Sequence, residues 1–192
     1  MTTRPIEDNE YKEVMGLVKN GFTYISDNSS KEIKFRANNK LYLALTLQAN
    51  IGLRIGDVLG LTSNNFRNGK LILKEDKTDK LQNRDVNSII VELVKDYAIA
   101  TGLKSNDKLF DRLSVRAVQK ALKIVTDYLN LDNISTHSFR KRYAVGIYEH
   151  NSNNIELVKE MLNHSSIAIT QRYIRVSQQA INQASKEVCD IV

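Results

Sequence analysis

The sequence is short of the features that would tie it to a membrane, a secretory route or an oxidising compartment. Its 192 residues hold one cysteine, Cys189, which excludes an internal disulfide and fits a reducing compartment. No apolar run approaches the ~20 residues of a membrane span, so no membrane partner is expected. The opening Met1-Thr2-Thr3-Arg4-Pro5 lacks the apolar core of a signal peptide, and the expected location is cytoplasmic. There is one proline and no long Gly/Ser linker, internal repeat or low-complexity segment. One compact domain over residues 1–192 is the simplest expectation. His137, His150 and His164 stand far from one another and from Cys189 in sequence, so no metal-ligand cluster is apparent.

What is present is enough hydrophobic content, 42%, for a real core, and a formal net charge of +6. That excess is moderate, and many soluble proteins match it without a polyanion partner. Its distribution tells more. Basic residues outnumber acidic ones six to three both from Arg67 to Arg84 and from Ile134 to Val176. Helical periodicity and capping residues predict helices near 8–20, before Asn50, over 54–60, 88–100 and 114–128, then near 136–149, 154–162 and 166–174, with a polar tail helix over about 177–192. Asn68-Gly69 is a hairpin signal, with Leu71-Ile72-Leu73 and residues 84–87 as strands and the charged residues 75–83 as an exposed loop. The fold class is therefore mainly α with a small antiparallel β-sheet. In the 114–128 helix Val115, Val118, Leu122 and Val125 share one face, and Arg116, Lys120 and Lys123 lie almost opposite. Such a stripe is either a solvated face or a set of phosphate contacts.

Five segments carry candidate chemistry. Arg54, in Gly52-Leu53-Arg54 followed by Asp57, is a charge among apolar residues and needs a partner or a ligand. Lys77 sits in Asp76-Lys77-Thr78 on the hairpin loop. His137 and Arg140, three apart on a helix, point the same way. An arginine offers a fork for two phosphate oxygens, and a histidine beside it can move protons near neutral pH. His164 precedes Tyr173 by nine residues. Singly these are weak signals, since H-x-x-R occurs by chance in many proteins.

In order, they closely resemble the tyrosine recombinase, or lambda integrase, family. Its catalytic domain carries an Arg, a Lys on a hairpin, His-x-x-Arg, a His or Trp, and a Tyr. The likeness runs from about Arg4 to Arg175. Asn163 departs from it, standing where the family usually has Gly, although Asn tolerates left-handed backbone well. Gly56 also weakens the helix after Arg54. The Lys-Thr pair favours Lys77, with Lys74 and Lys80 on the same loop as alternatives.

The resemblance implies a site-specific recombinase that cuts and rejoins double-stranded DNA without cofactor or metal. Tyr173 would attack the phosphate and Arg54 and Arg140 would clamp its oxygens. His137 would be the base, Lys77 the acid to the leaving 5′-oxygen, and His164 a hydrogen-bond donor to phosphate. Asp57 would support these groups. It further implies a monomer that forms a tetramer on DNA by passing residues 177–192 to a neighbour, with Ile181, Val188 and Ile191 as apolar contacts. DNA-bending accessory proteins and association with the nucleoid would follow, and the amino-terminal arm domain of larger members is expected to be absent from this chain. The rival readings are a type IB topoisomerase, which usually has Lys where His137 stands, and an inactive DNA-binding module.

Overall fold

The computed structural model describes residues 3–26, 29–174 and 185–186. The expected tail helix, Cys189 and all but residues 185–186 of the segment expected to pass to a neighbour lie outside them. Helix α1 (Asp8–Asn20) begins with a capping box between Glu7 and Glu10, so Glu7 rather than Asp8 is its cap. The hairpin β1 (Phe22–Ser26) and β2 (Ser29–Phe35) follows. Helix α2 (Asn39–Ile51) comes next, then the short α3 (Ile55–Leu59). A 3-10 turn, Ser63–Asn65, leads into the sheet β3 (Phe66–Arg67), β4 (Lys70–Lys74) and β5 (Leu81–Asp85). Helices α4 (Ser88–Ala100), α5 (Val115–Tyr128), α6 (Thr136–His150), α7 (Ile155–Met161) and α8 (Ile167–Gln171) complete the described chain. None of the described helices is long and apolar enough to cross a membrane.

Helix α2 is central because it is apolar nearly all round: Leu41, Leu43, Ala44, Leu45, Leu47, Ala49 and Ile51 are all buried. It packs against α1, α3 and α6. Helix α5 matches its expected bounds, with the Ser114 hydroxyl accepting from the Ala117 N–H at 3.2 Å and Val118, Leu122 and Val125 buried. A smaller cluster of Ala144, Val158 and Leu162 joins α6 to α7, and Tyr173 and Ile174 rest against it.

Besides the α1 cap, four points of the sequence reading need correction. The hairpin β1–β2 was not anticipated, although Gly21 sets it off and Tyr24, Ile25 and Ile33 suit a strand. The third strand of the sheet is residues 81–85 rather than 84–87. Residues 75–83 are also not wholly exposed, since Glu75 and Gln82 are buried. Asn87, rather than Ser88, caps α4.

Candidate active site

The site is built around a buried guanidinium. Arg140 lies in the first turns of α6, and only 1% of its surface is exposed. Its Nη1 donates to the Gly52 carbonyl at 2.6 Å and its Nη2 to the Leu162 carbonyl at 2.8 Å. Gly52 closes α2 and Leu162 closes α7. The last carbonyls of a helix lack intrahelical partners and carry partial negative charge. Two helix ends therefore compensate the buried cation, with no carboxylate among these partners. Gly52 has to be glycine for two reasons. Its φ is +62°, and a Cβ there would lie 2.2 Å from Cδ1 of Tyr143.

Arg54 occupies the N-cap position of α3, the turn that follows Gly52. Its Nη1 meets Oε2 of Glu75 at 2.5 Å, and the arginine side chain is 21% exposed while the glutamate is fully buried. Arg54 and Arg140 face the same region: burial and then the charge of Arg54 lower the Arg140 pKa, while Tyr173 and Glu75 oppose that shift.

His137 enters from the first turn of α6, three residues before Arg140. The capping box between Ser135 and Ser138 starts this helix just ahead of the motif. Local desolvation and then the charges of Arg140, Lys141, Arg54 and Lys77 hold its pKa below the usual histidine value. A neutral imidazole can accept a proton.

His164 is buried, and its pKa is pushed down to about 4, by burial first and then by Arg140 and Arg54. Its Nε2 lies 3.4 Å from Nη2 of Arg140 and its Nδ1 3.0 Å from the Thr170 hydroxyl. Arginine can only donate, so this contact assigns the proton to Nδ1. In this arrangement His164 braces Arg140. Donation from Nε2 to phosphate would require a change of tautomer or charge. Asn163, just before it, has φ +52°, the left-handed conformation that its residue type tolerates.

Tyr173 follows α8 in a turn closed by its N–H on the Thr170 carbonyl. Its ring meets the His164 ring edge to face, with centroids 4.8 Å apart. Lys141 Nζ lies 5.5 Å from the Tyr173 centroid and donates to the Thr3 carbonyl. Tyr173 and His137 together line an open groove of about 1590 Å³ that also takes in Arg4, Lys141, Arg142 and Arg172.

Lys77 is exposed at the tip of the β4–β5 hairpin and has no hydrogen-bond or ion-pair partner among the described residues. Lys74 is paired with Asp79 at 2.6 Å, and Lys80 Nζ donates to the Asn163 carbonyl at 3.3 Å. Asp57 is buried, and its Oδ1 accepts from the Asp76 N–H at 3.0 Å, holding the root of the hairpin turn. Burial raises its pKa, and the Asp76 N–H partly offsets this. Around the site, Arg140 and Tyr173 both meet His164, His137 lines the same groove as Tyr173, and Arg54 and the Thr78 next to Lys77 meet on Glu75. Arg116, Lys120 and Lys123 stay outside these contacts, exposed on α5, and Lys123 is paired with Asp127 at 2.8 Å.

The sequence does not single out Glu75, which stands in a charged run that reads as loop. Strand alternation is the available signal, because Leu71, Leu73 and Glu75 share one parity and therefore one face. Arg84 is not singled out either. It donates to the Tyr143 hydroxyl at 2.6 Å and to the Ile51 carbonyl, bracing the turn before Arg54.

The sequence matches the phage integrase family over residues 7–180. It is 28% identical to the "Probable integrase/recombinase YoeC" of Bacillus subtilis (strain 168), over 81% of this chain and 88% of that protein. It is 26% identical to tyrosine recombinase XerC of Caldanaerobacter subterraneus subsp. tengcongensis, covering 74% of this chain but only 43% of the relative. Among solved structures, the catalytic domain of bacteriophage HP1 integrase superposes with a TM-score of 0.65 at 17% identity, covering 96% of this chain and 94% of that one. XerH site-specific recombinase, bound to palindromic difH substrate after cleavage, superposes with a TM-score of 0.68 at 19% identity, covering 97% of this chain and 53% of that one. The fold is thus that of tyrosine recombinase catalytic domains, and the chain belongs to the phage integrase family.

Proposed function

We propose that this chain breaks and rejoins double-stranded DNA at specific sites through a 3′-phosphotyrosyl intermediate on Tyr173. The observation that carries this reading is the gathering of two guanidiniums, Arg54 and Arg140, beside a histidine of lowered pKa and Tyr173. A phosphodiester repels nucleophiles, and negative charge grows on its non-bridging oxygens during attack. Fixed guanidiniums offset that charge where it develops. The Tyr173 oxygen attacks phosphorus while His137 takes its proton. The P–O5′ bond breaks and the 5′-oxygen leaves with a proton from Lys77. Rejoining is the reverse, so bond energy is kept and no nucleotide is consumed. Arg140 is held by its two carbonyls, His164 braces it, and Asp57 anchors the turn that carries Lys77. On this reading the chain acts where chromosomal DNA lies, is monomeric alone and assembles as a tetramer on DNA.

The test is a nicked duplex, which loses the fragment needed for rejoining and so traps the adduct on a denaturing gel. Tyr173→Phe removes one oxygen from a ring that still packs. Its stability is expected within ~0.5 kcal/mol of the parent, its DNA affinity near the parent's, and its adduct absent. An adduct formed by the phenylalanine variant on a duplex that traps the parent would remove Tyr173 as the nucleophile.

A further inference from the structure

We propose that Glu75 is a positioning residue that aims Arg54 at the phosphate and locks the Lys77 turn and the His164 turn to it. This rests on the reading of the site given above. Four donors from four parts of the chain converge on this carboxylate. Oε2 accepts from Arg54 Nη1 at 2.5 Å and from the Thr78 hydroxyl at 2.7 Å. Oε1 accepts from Gln82 Nε2 at 2.9 Å and from Asn163 Nδ2 at 3.2 Å. Thr78 is the residue after Lys77, and Asn163 is the residue before His164. One carboxylate thus ties the arginine turn, the hairpin tip, the third strand of the sheet and the turn that presents His164.

A buried carboxylate would normally be costly. Burial pushes the Glu75 pKa up, but the Gln82 and Thr78 hydrogen bonds and the charge and N–H of Arg54 outweigh it, leaving the group below the ordinary glutamate value. It is therefore ionised wherever the site would work. One nitrogen of Arg54 is fixed on Glu75, and its remaining N–H groups have no partner among the described residues. A planar fork held at one nitrogen loses most of its rotational freedom, so the remaining donors are pre-aimed. Glu75 also carries the charge opposite to that of the guanidiniums. It opposes the shifts that burial and Arg54 impose on Arg140 and His164, which lets two guanidiniums share a site before any phosphate arrives.

The experiment uses the full chain and a pool of nicked duplexes with randomised sequence around the nick. The duplex most often captured by the parent in SDS-resistant adduct then serves for all variants. Glu75→Gln keeps the shape but sets an amide against two donors. Adduct formation is expected to slow roughly tenfold or more, as befits a displaced positioning group, while affinity for the same duplex changes less than about threefold. In an Arg54→Ala background the same substitution is expected to change the rate less than about twofold, because a residue acting through Arg54 has nothing left to act on. A purely structural role would give the same fold-loss in both backgrounds, and that result overturns the proposal, as does a Glu75→Gln variant with the parent's rate. If Glu75→Gln does not fold, Glu75→Asp, which keeps the charge but withdraws it by one methylene, takes its place in the same cycle. A chain that folds with neither substitution also overturns the proposal, since Glu75 would then serve the fold alone. A parent that forms no adduct with any duplex of the pool overturns the recombinase reading and this inference together. An active parent with an indifferent Glu75 removes the inference alone.

Discussion

At the scale of the residue, His164 shows how burial sets protonation. Its folded pKa of about 4 lies below the ordinary histidine value of ~6.5. The unfolded chain therefore takes up a proton that the folded chain refuses. The resulting stability is complete above the unfolded value and is lost as pH falls toward and through about 4. The loss should total about 3 kcal/mol. Urea unfolding of the parent should show it between neutral pH and the folded value, and His164→Asn should lose measurably less over the same range. An equal decline in both proteins would assign the acid sensitivity elsewhere. Glu75, whose pKa is lowered, loses its contribution only below the ordinary glutamate value, so its window opens as that of His164 is closing.

At the scale of the element, the turn between α2 and α3 tolerates least. Gly52→Ala would force a side chain into left-handed backbone and into the Tyr143 ring. A loss of at least ~2 kcal/mol is expected from the strain and overlap combined. It is read as a lower urea midpoint, and a variant as stable as the parent would show that the Tyr143 ring can move aside at little cost. Much of this element scale was legible beforehand. Helix α5 follows from Ser114 and the spacing of its apolar residues, and α1 ends at Gly21 as expected. Arg54, His137, Arg140, His164 and Tyr173 can be proposed from the sequence because their order along the chain carries the family resemblance. Glu75 cannot, because its role depends on partners at positions 54 and 163, far away in sequence. A charged residue at an inward strand parity asks for such a partner without naming it. The hairpin β1–β2 is hidden in the sequence for a different reason. Its charged residues Lys31, Glu32 and Lys34 dilute the apolar alternation that its aromatic residues would otherwise make plain.

At the scale of the whole molecule, basic residues stand both in the groove beside Tyr173 and on the exposed face of α5. If the α5 face meets DNA phosphates, replacing Arg116, Lys120 and Lys123 together by alanine should flatten the slope of log affinity against log salt by roughly one for each phosphate no longer neutralised. Lys123 already holds Asp127, so its share should be the smallest. An unchanged slope would leave α5 as a solvated face. The anchoring of Arg140 has a consequence for inheritance as well. Its two acceptors are main-chain carbonyls at positions 52 and 162, and every amino acid the genetic code can place there brings the same oxygen. No single substitution at either position can delete an acceptor; it can only displace one by disturbing the chain around it. Genetic drift at Leu162 is therefore screened for packing alone, while the guanidinium can be erased only by a codon change at 140 itself.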